Sequence, residues 1–132
     1  MLNTLQLFPL VLVMSACTEL CGEEILKSKP SPDGGNVMIW HSRDCGATTT
    51  PKMTVYVVPE SETKKITSDN TKIANRYRAF SYERQTFDAY WDSSSVIKVE
   101  YDLTPQFGRT GSLLSKNISV GDIQIEYVDI TP

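Results

Sequence analysis

The sequence predicts a mainly β domain, an antiparallel sandwich or half-open roll of about six to seven short strands. Three observations predict it. Short runs rich in β-branched and aromatic residues recur and stop at turn formers, as in Met53-Thr54-Val55-Tyr56-Val57-Val58 before Pro59. Other runs alternate in the strand period, Ile97, Val99 and Tyr101 facing one way and Lys98, Glu100 and Asp102 the other. No long stretch sustains the helical period, and Gly-, Pro- and Ser-containing turns divide the chain.

In chain order, the first strand is expected at Ile25-Leu26-Lys27-Ser28. Ser31-Pro32-Asp33-Gly34-Gly35 is a turn signal, because proline presets φ and the glycines accept positive φ, so a hairpin starts there. In the strand that follows, Asn36 to Arg43, the residues Val37, Ile39 and His41 alternate with Met38, Trp40 and Ser42. Both faces carry apolar bulk, as in an inner strand covered on both sides. Asp44-Cys45-Gly46-Ala47-Thr48-Thr49-Thr50-Pro51 is a small, hydroxyl-rich loop, and Met53 to Val58 is the next strand. The polar stretch Glu60 to Lys72 is expected to be an exposed loop.

Thr71 to Arg84 fits two patterns, helical through Ile73, Tyr77, Phe80 and Arg84, extended through Tyr77, Ala79 and Ser81; the extended reading is preferred. Thr86 to Trp91 and Val96 to Tyr101 flank Asp92-Ser93-Ser94-Ser95, a hairpin loop. Thr104 to Ser119 is a connection with a short strand near Leu113 and Leu114. After Gly121-Asp122, the alternating run Ile123 to Ile130 makes the last strand.

The apolar run Leu5 to Met14 is too short to span a bilayer, which takes about 20 residues, and has the proportions of the apolar core of an export signal. Met14-Ser15-Ala16-Cys17 resembles a bacterial lipobox, in which a large apolar residue and two small ones precede the cysteine that receives a diacylglycerol before cleavage. The resemblance implies a signal peptide over 1–16, a lipidated Cys17, a polar tether over 17–24 and a single β-rich domain over 25–132. It also implies attachment to a membrane of the cell envelope. Thr18 stands where members retained in the inner membrane carry aspartate, so the expected address is the outer membrane, facing the periplasm, in a Gram-negative cell.

With Cys17 taken by lipid, Cys21 and Cys45 are an expected disulfide pair in an oxidising compartment. Such a bridge closes a loop of about 25 residues and contributes about 3 to 4 kcal/mol by loop-closure entropy. Two free thiols, a metal site and a nucleophile built from Cys45 and His41 remain as alternatives at this point. One histidine without C-x-x-C spacing is a poor zinc set, so neither metal nor cofactor is expected.

All 13 Lys+Arg and all 16 Asp+Glu follow residue 16, giving the expected mature chain a formal charge of −3. Without a clustered basic surface, that acidity argues against a nucleic-acid partner. The composition, 40% hydrophobic and 22% charged, is globular and suits one core. A second resemblance rests on Ser31-Pro32-Asp33-Gly34, an apolar strand, then Arg43-Asp44-Cys45-Gly46-Ala47-Thr48-Thr49 and another strand. The pattern is similar to a group of small exported bacterial proteins of unassigned activity. It implies a domain and no chemistry.

Glu100 and Asp102 share a strand face and imitate a carboxylate pair, but the same alternation describes a solvated face. Ser42 and Thr48 to Thr50 lie near His41 without a G-x-S-x-G elbow, and Gly108-Arg109-Thr110-Gly111-Ser112 lacks the lysine of a phosphate loop. No residue is therefore expected to be catalytic. Arg76, Tyr77, Arg78, Phe80, Tyr82 and Arg84 gather three arginines and three aromatics in an acidic chain. Of these, Arg76, Arg78, Tyr82 and Arg84 are candidates to bind an anionic partner, an acidic protein loop or lipid headgroups. Read without function, the stretch is an edge strand with wet arginines and aromatics in the core. The expected function is that of a non-enzymatic binding module of the envelope, of the kind that includes inhibitors and immunity factors. The alternative is a small hydrolase using His41 with Cys45 or a nearby threonine.

Overall fold

The computed structural model describes residues 21–46, 49–84, 87–106 and 108–132. Among them are nine strands: β1 (Gly22–Pro30), β2 (Asn36–Asp44), β3 (Lys52–Pro59), β4 (Arg78–Glu83), β5 (Phe87–Ser93), β6 (Val96–Tyr101), β7 (Ser112–Lys116), β8 (Ser119–Val120) and β9 (Ile123–Asp129). They form a five-stranded sheet, β1-β2-β3-β4-β7, and a four-stranded sheet, β5-β6-β9-β8, packed as the β sandwich that the sequence predicts. The strands beyond the expected six or seven are short, β8 having two residues and hence no legible pattern. One pairing departs from the antiparallel expectation, since β6 and β9 run parallel.

The core lies between the sheets. Met38 and Trp40 from β2, Val55 and Val57 from β3, and Phe80 and Tyr82 from β4 meet Phe87, Ala89, Ile97, Val99, Ile123 and Ile125 from the opposite sheet. Ring stacking crosses the gap where the Tyr82 and Phe87 centroids lie 4.2 Å apart, and continues within the four-stranded sheet from Phe87 to Tyr101 at 5.7 Å. The alternation in β6 resolves as expected: Ile97 and Val99 are fully buried, while Lys98 and Glu100 face outward beside exposed Asp88 and Glu126. There Tyr90 donates to Glu100 at 3.2 Å and Lys98 pairs with Asp92 at 3.6 Å.

The turn at Ser31 to Gly35 forms for the reasons its residues give. Gly34 takes φ 73, a region costly for a side chain. The Asp33 carboxylate accepts from Ser31 Oγ and the Gly35 amide, which holds it below the usual carboxylate range. Asp33 also donates its amide to Ser94 Oγ, and Trp91 Nε1 donates to the Lys29 carbonyl at 3.0 Å, so one side of the sandwich is tied shut. On the other side, the Tyr127 hydroxyl donates to the Asn117 carbonyl at 2.7 Å; burial pushes its ionisation far above the ordinary range.

Three local expectations change. β1 begins at Gly22, so Gly22, Glu23 and Glu24, expected in the tether, pair instead with Asp44, Arg43 and Ser42. The cause is the Cys21–Cys45 disulfide, which fastens both strand ends together. The segment Thr71 to Arg84 is neither wholly helix nor wholly strand, but a 3-10 turn at Asn75–Tyr77 leading into β4. Glu60 to Lys72 is also more than an exposed loop, since a 3-10 turn, Glu60–Lys65, opens it and contacts β2 and β3. The lipobox with Cys17, and the expected signal peptide, lie outside the described residues.

Candidate functional site

The site follows from the second face of β2 and β3. Ile39 and Val58 are buried on the side of the sheet away from the core, and Val37 is half-buried beside them. Apolar residues on both faces demand two covers. The second cover is the polar segment after β3, anchored by the half-buried Ile66 and held by hydrogen bonds. The Glu60 amide donates to the Gly35 carbonyl at 3.0 Å, Ile66 donates to Thr63, and Asn70 Nδ2 donates to the Lys65 carbonyl at 3.1 Å. A Lys65–Glu62 ion pair at 2.7 Å staples the 3-10 turn on its exposed side.

The roof does not close down on β1. Between them runs a groove of about 610 Å³, inside the roughly 300–1,000 Å³ span of small-ligand sites. Ile25, Pro30, Val37 and Ile39 line it from the sheet, and Thr63, Ile66 and Thr67 from the roof. Among the described residues, its lining includes Glu23, Glu24 and Glu60 and no lysine or arginine. Glu23 is 3.8 Å from Arg43 across an exposed pair of little energetic weight. Among the described residues no cation pairs with Glu24 or Glu60. The lysines of β1 lie elsewhere: Lys27 and Lys29 sit over the Trp40 ring, 4.3 and 5.6 Å from its centroid.

His41 stands next to the groove floor as the cross-strand partner of Ile25. It begins a polar row, His41, Thr54, Ser81 and Ser115, that crosses four strands on the same face. Thr54 and Ser81 share a hydrogen bond of 3.1 Å, and the Tyr56 ring meets the imidazole edge-on at 6.1 Å. Burial holds His41 below its ordinary pKa, with Glu23 opposing and Arg43 assisting. A base must reach the hydroxyl it activates. His41 hydrogen-bonds no hydroxyl among the described residues. Cys45 is bonded to Cys21 and so offers no thiolate.

The four candidate partner-binding residues separate. Tyr82 is buried between the sheets, stacked on Phe80 and Phe87, out of a partner's reach. Arg78 lies half-buried on the face that carries the polar row, its Nε buried without a partner among the described residues. Arg76 is exposed and folds onto Tyr77, its guanidinium 4.7 Å from the ring centroid. Arg84 is exposed at the end of β4 and donates Nε to Thr50 Oγ1 at 2.7 Å. Glu100 accepts from Tyr90 and Asp102 from Thr104, so the supposed carboxylate pair is two separate surface hydrogen bonds.

Sequence reasoning missed the groove because its roof is polar. The available signals were Ile66, an apolar residue inside a hydrophilic stretch, and the second apolar face of β2, which required a cover from somewhere. Among the described residues, no three His, Cys, Asp or Glu side chains gather as a metal site, and no helix is long and apolar enough to cross a membrane. Comparison with protein-family models, curated proteins and solved structures finds no match to this chain.

Proposed function

We propose that this chain is a lipid-anchored, non-enzymatic binding module of the cell envelope, with the groove between β1, β2 and the roof as its binding site. The groove carries the reading. An apolar floor beside Glu24 and Glu60, which pair with no cation among the described residues, suits a ligand with an apolar body and a positive charge. The apolar part gains about 25 cal/mol per Å² removed from water, and the cation meets Glu24 and Glu60 without a competing lysine or arginine. Sequestering a cationic amphiphile is a task for an inhibitor or immunity factor.

The anchor rests on Met14-Ser15-Ala16-Cys17. The Cys21–Cys45 bridge supports it, because Cys17 is then the one cysteine of three left for lipid. From Cys17 to Cys21 the chain reaches about 14 Å at full extension, so a lipid on Cys17 keeps the Glu23 end of the groove near the membrane surface, where amphiphiles concentrate. A lipobox cysteine carries two or three acyl chains, which exceeds what stable anchoring requires. The disulfide also supports a non-enzymatic role, since it occupies the sulfur that a thiol mechanism needs.

The test is a calorimetric titration of the full chain, held in phosphatidylcholine nanodiscs, with octyltrimethylammonium and octanesulfonate against empty-disc blanks. Saturable binding of the cation, at least tenfold tighter than the sulfonate and lost in Ser28→Trp, is the expected result. Ser28 is an exposed groove-lining residue of β1, so the indole fills the groove without entering the core. Equal binding of both probes, or cation binding unchanged in Ser28→Trp, contradicts the proposal.

A further inference from the structure

A second concavity lies where the β2–β3 connection meets the end of β4 and the connection before β7. Thr49, Thr50, Pro51, Arg84, Gln106 and Arg109 line it around a volume of about 600 Å³. Two arginines from distant parts of an acidic chain thus share one hollow, and among the described residues its lining includes no carboxylate. Two exposed guanidinium groups facing one hollow give it a positive lining that attracts an anion.

Arg84 is held by its backbone and by one neighbour. Its backbone φ of 62 lies in the left-handed region, which a non-glycine residue occupies at a cost and which clusters at functional positions. Its Nε donates to Thr50 Oγ1 at 2.7 Å, which orients the guanidinium and leaves both Nη groups open. Thr50 accepts that bond, so its own hydroxyl proton remains to be donated. Among the described residues, nothing hydrogen-bonds or pairs with the Nη groups of Arg84 or the guanidinium of Arg109.

We propose that Arg84 and Arg109, with Thr50, bind the phosphate group of an anionic ligand. Two forked donors and a hydroxyl exceed what the two oxygens of a carboxylate can accept. A phosphate monoester offers three terminal oxygens and a charge approaching −2, which matches two guanidinium groups. The site is separate from the groove, and its residues belong to none of the groove's lining.

The experiment follows the arginine Nε–Hε resonances of the full chain in a neutral detergent by ¹H–¹⁵N NMR. Inorganic phosphate, dihexanoyl phosphatidic acid and dihexanoyl phosphatidylcholine are added separately, against sodium chloride at matched ionic strength. Saturable shifts of Arg84 and Arg109 with phosphate or phosphatidic acid, weakened at least tenfold in Arg109→Gln and unchanged in Arg76→Gln, are expected. Tighter saturation by phosphatidic acid identifies a lipid headgroup as the source, and equal saturation by both identifies free phosphate. Arg109 has no described side-chain partner, so this variant retains the fold even where Arg84→Gln disturbs it. Shifts no larger than those of chloride, or the same phosphate affinity in Arg109→Gln, overturn the proposal.

Discussion

The two sheets bury their inner faces against each other in the same way, yet their outer faces differ. On the four-stranded sheet the outer face is wet, with Asp88, Asp92, Lys98, Glu100 and Glu126 among residues that are exposed or half-exposed. On the five-stranded sheet, Ile39, Val58, His41, Thr54 and Ser81 are all buried on the outer face. A sheet covered once needs only alternation in its sequence; a sheet covered twice needs a third layer. Here the third layer is one irregular segment after β3, too short to cover everything. The groove is the part of the five-stranded sheet that it leaves open.

The largest effect expected from breaking this contrast comes from the disulfide that begins β1. Replacing Cys21 and Cys45 by serine should lower unfolding free energy by about 3 to 4 kcal/mol, the loop-closure value for the 24-residue separation. Urea denaturation measures it, and native-state hydrogen exchange should rise first in β1 and not in β6 or β9. The next effect compares the outer faces directly. Ile39→Ala should cost about 2 kcal/mol, the low end for a buried isoleucine because the roof can settle into the adjoining groove. Val128→Ala, on the wet face of β9 and 42% exposed, should change stability by less than about 0.5 kcal/mol. Equal losses would erase the distinction between the faces.

A smaller effect is pH-dependent. Burial lowers the pKa of His41 from its ordinary 6.5, with Glu23 on β1 and Arg43 on β2 as the charged neighbours and Tyr56 on β3 packed against the ring. The unfolded chain therefore binds the proton first as pH falls. The His41 contribution is present above about pH 6.5 and is lost as pH drops toward the lowered folded value. Thermal melts between pH 7 and 5 should fall less steeply for His41→Phe than for the parent. The smallest effect on stability should come from Ser28→Trp, within about 0.5 kcal/mol, although it closes the groove.

The contrast between the sheets was partly legible in the sequence. The strict alternation of Val96 to Tyr101 and Ile123 to Ile130 announced one wet face, and the mixed faces of Asn36 to Arg43 announced two covers. The Ser31 to Gly35 turn and the Cys21–Cys45 pair were readable because their physics is local or combinatorial. What supplied the second cover was not readable, because the roof is held largely by backbone hydrogen bonds such as Glu60 to Gly35, which leave no side-chain pattern. The arginine stretch is divided for a related reason. Spacing alone placed Arg76, Arg78, Tyr82 and Arg84 together, whereas the shift in β3–β4 pairing between Val55 and Tyr56 and the turn at Arg84 send them to different surroundings. Arg109, the other arginine in the hollow with Arg84, lies in another connection and gave no sign of proximity.

The most direct test of the central claim, that the open part of the covered sheet is the binding site, is to locate a bound probe. Full chain in deuterated phosphatidylcholine nanodiscs with octyltrimethylammonium should give nuclear Overhauser contacts from the octyl chain to the methyl groups of Ile25, Ile39 and Ile66. Contacts confined to the exposed apolar residues outside the groove, Leu114, Ile118, Val128 and Ile130, would contradict the account.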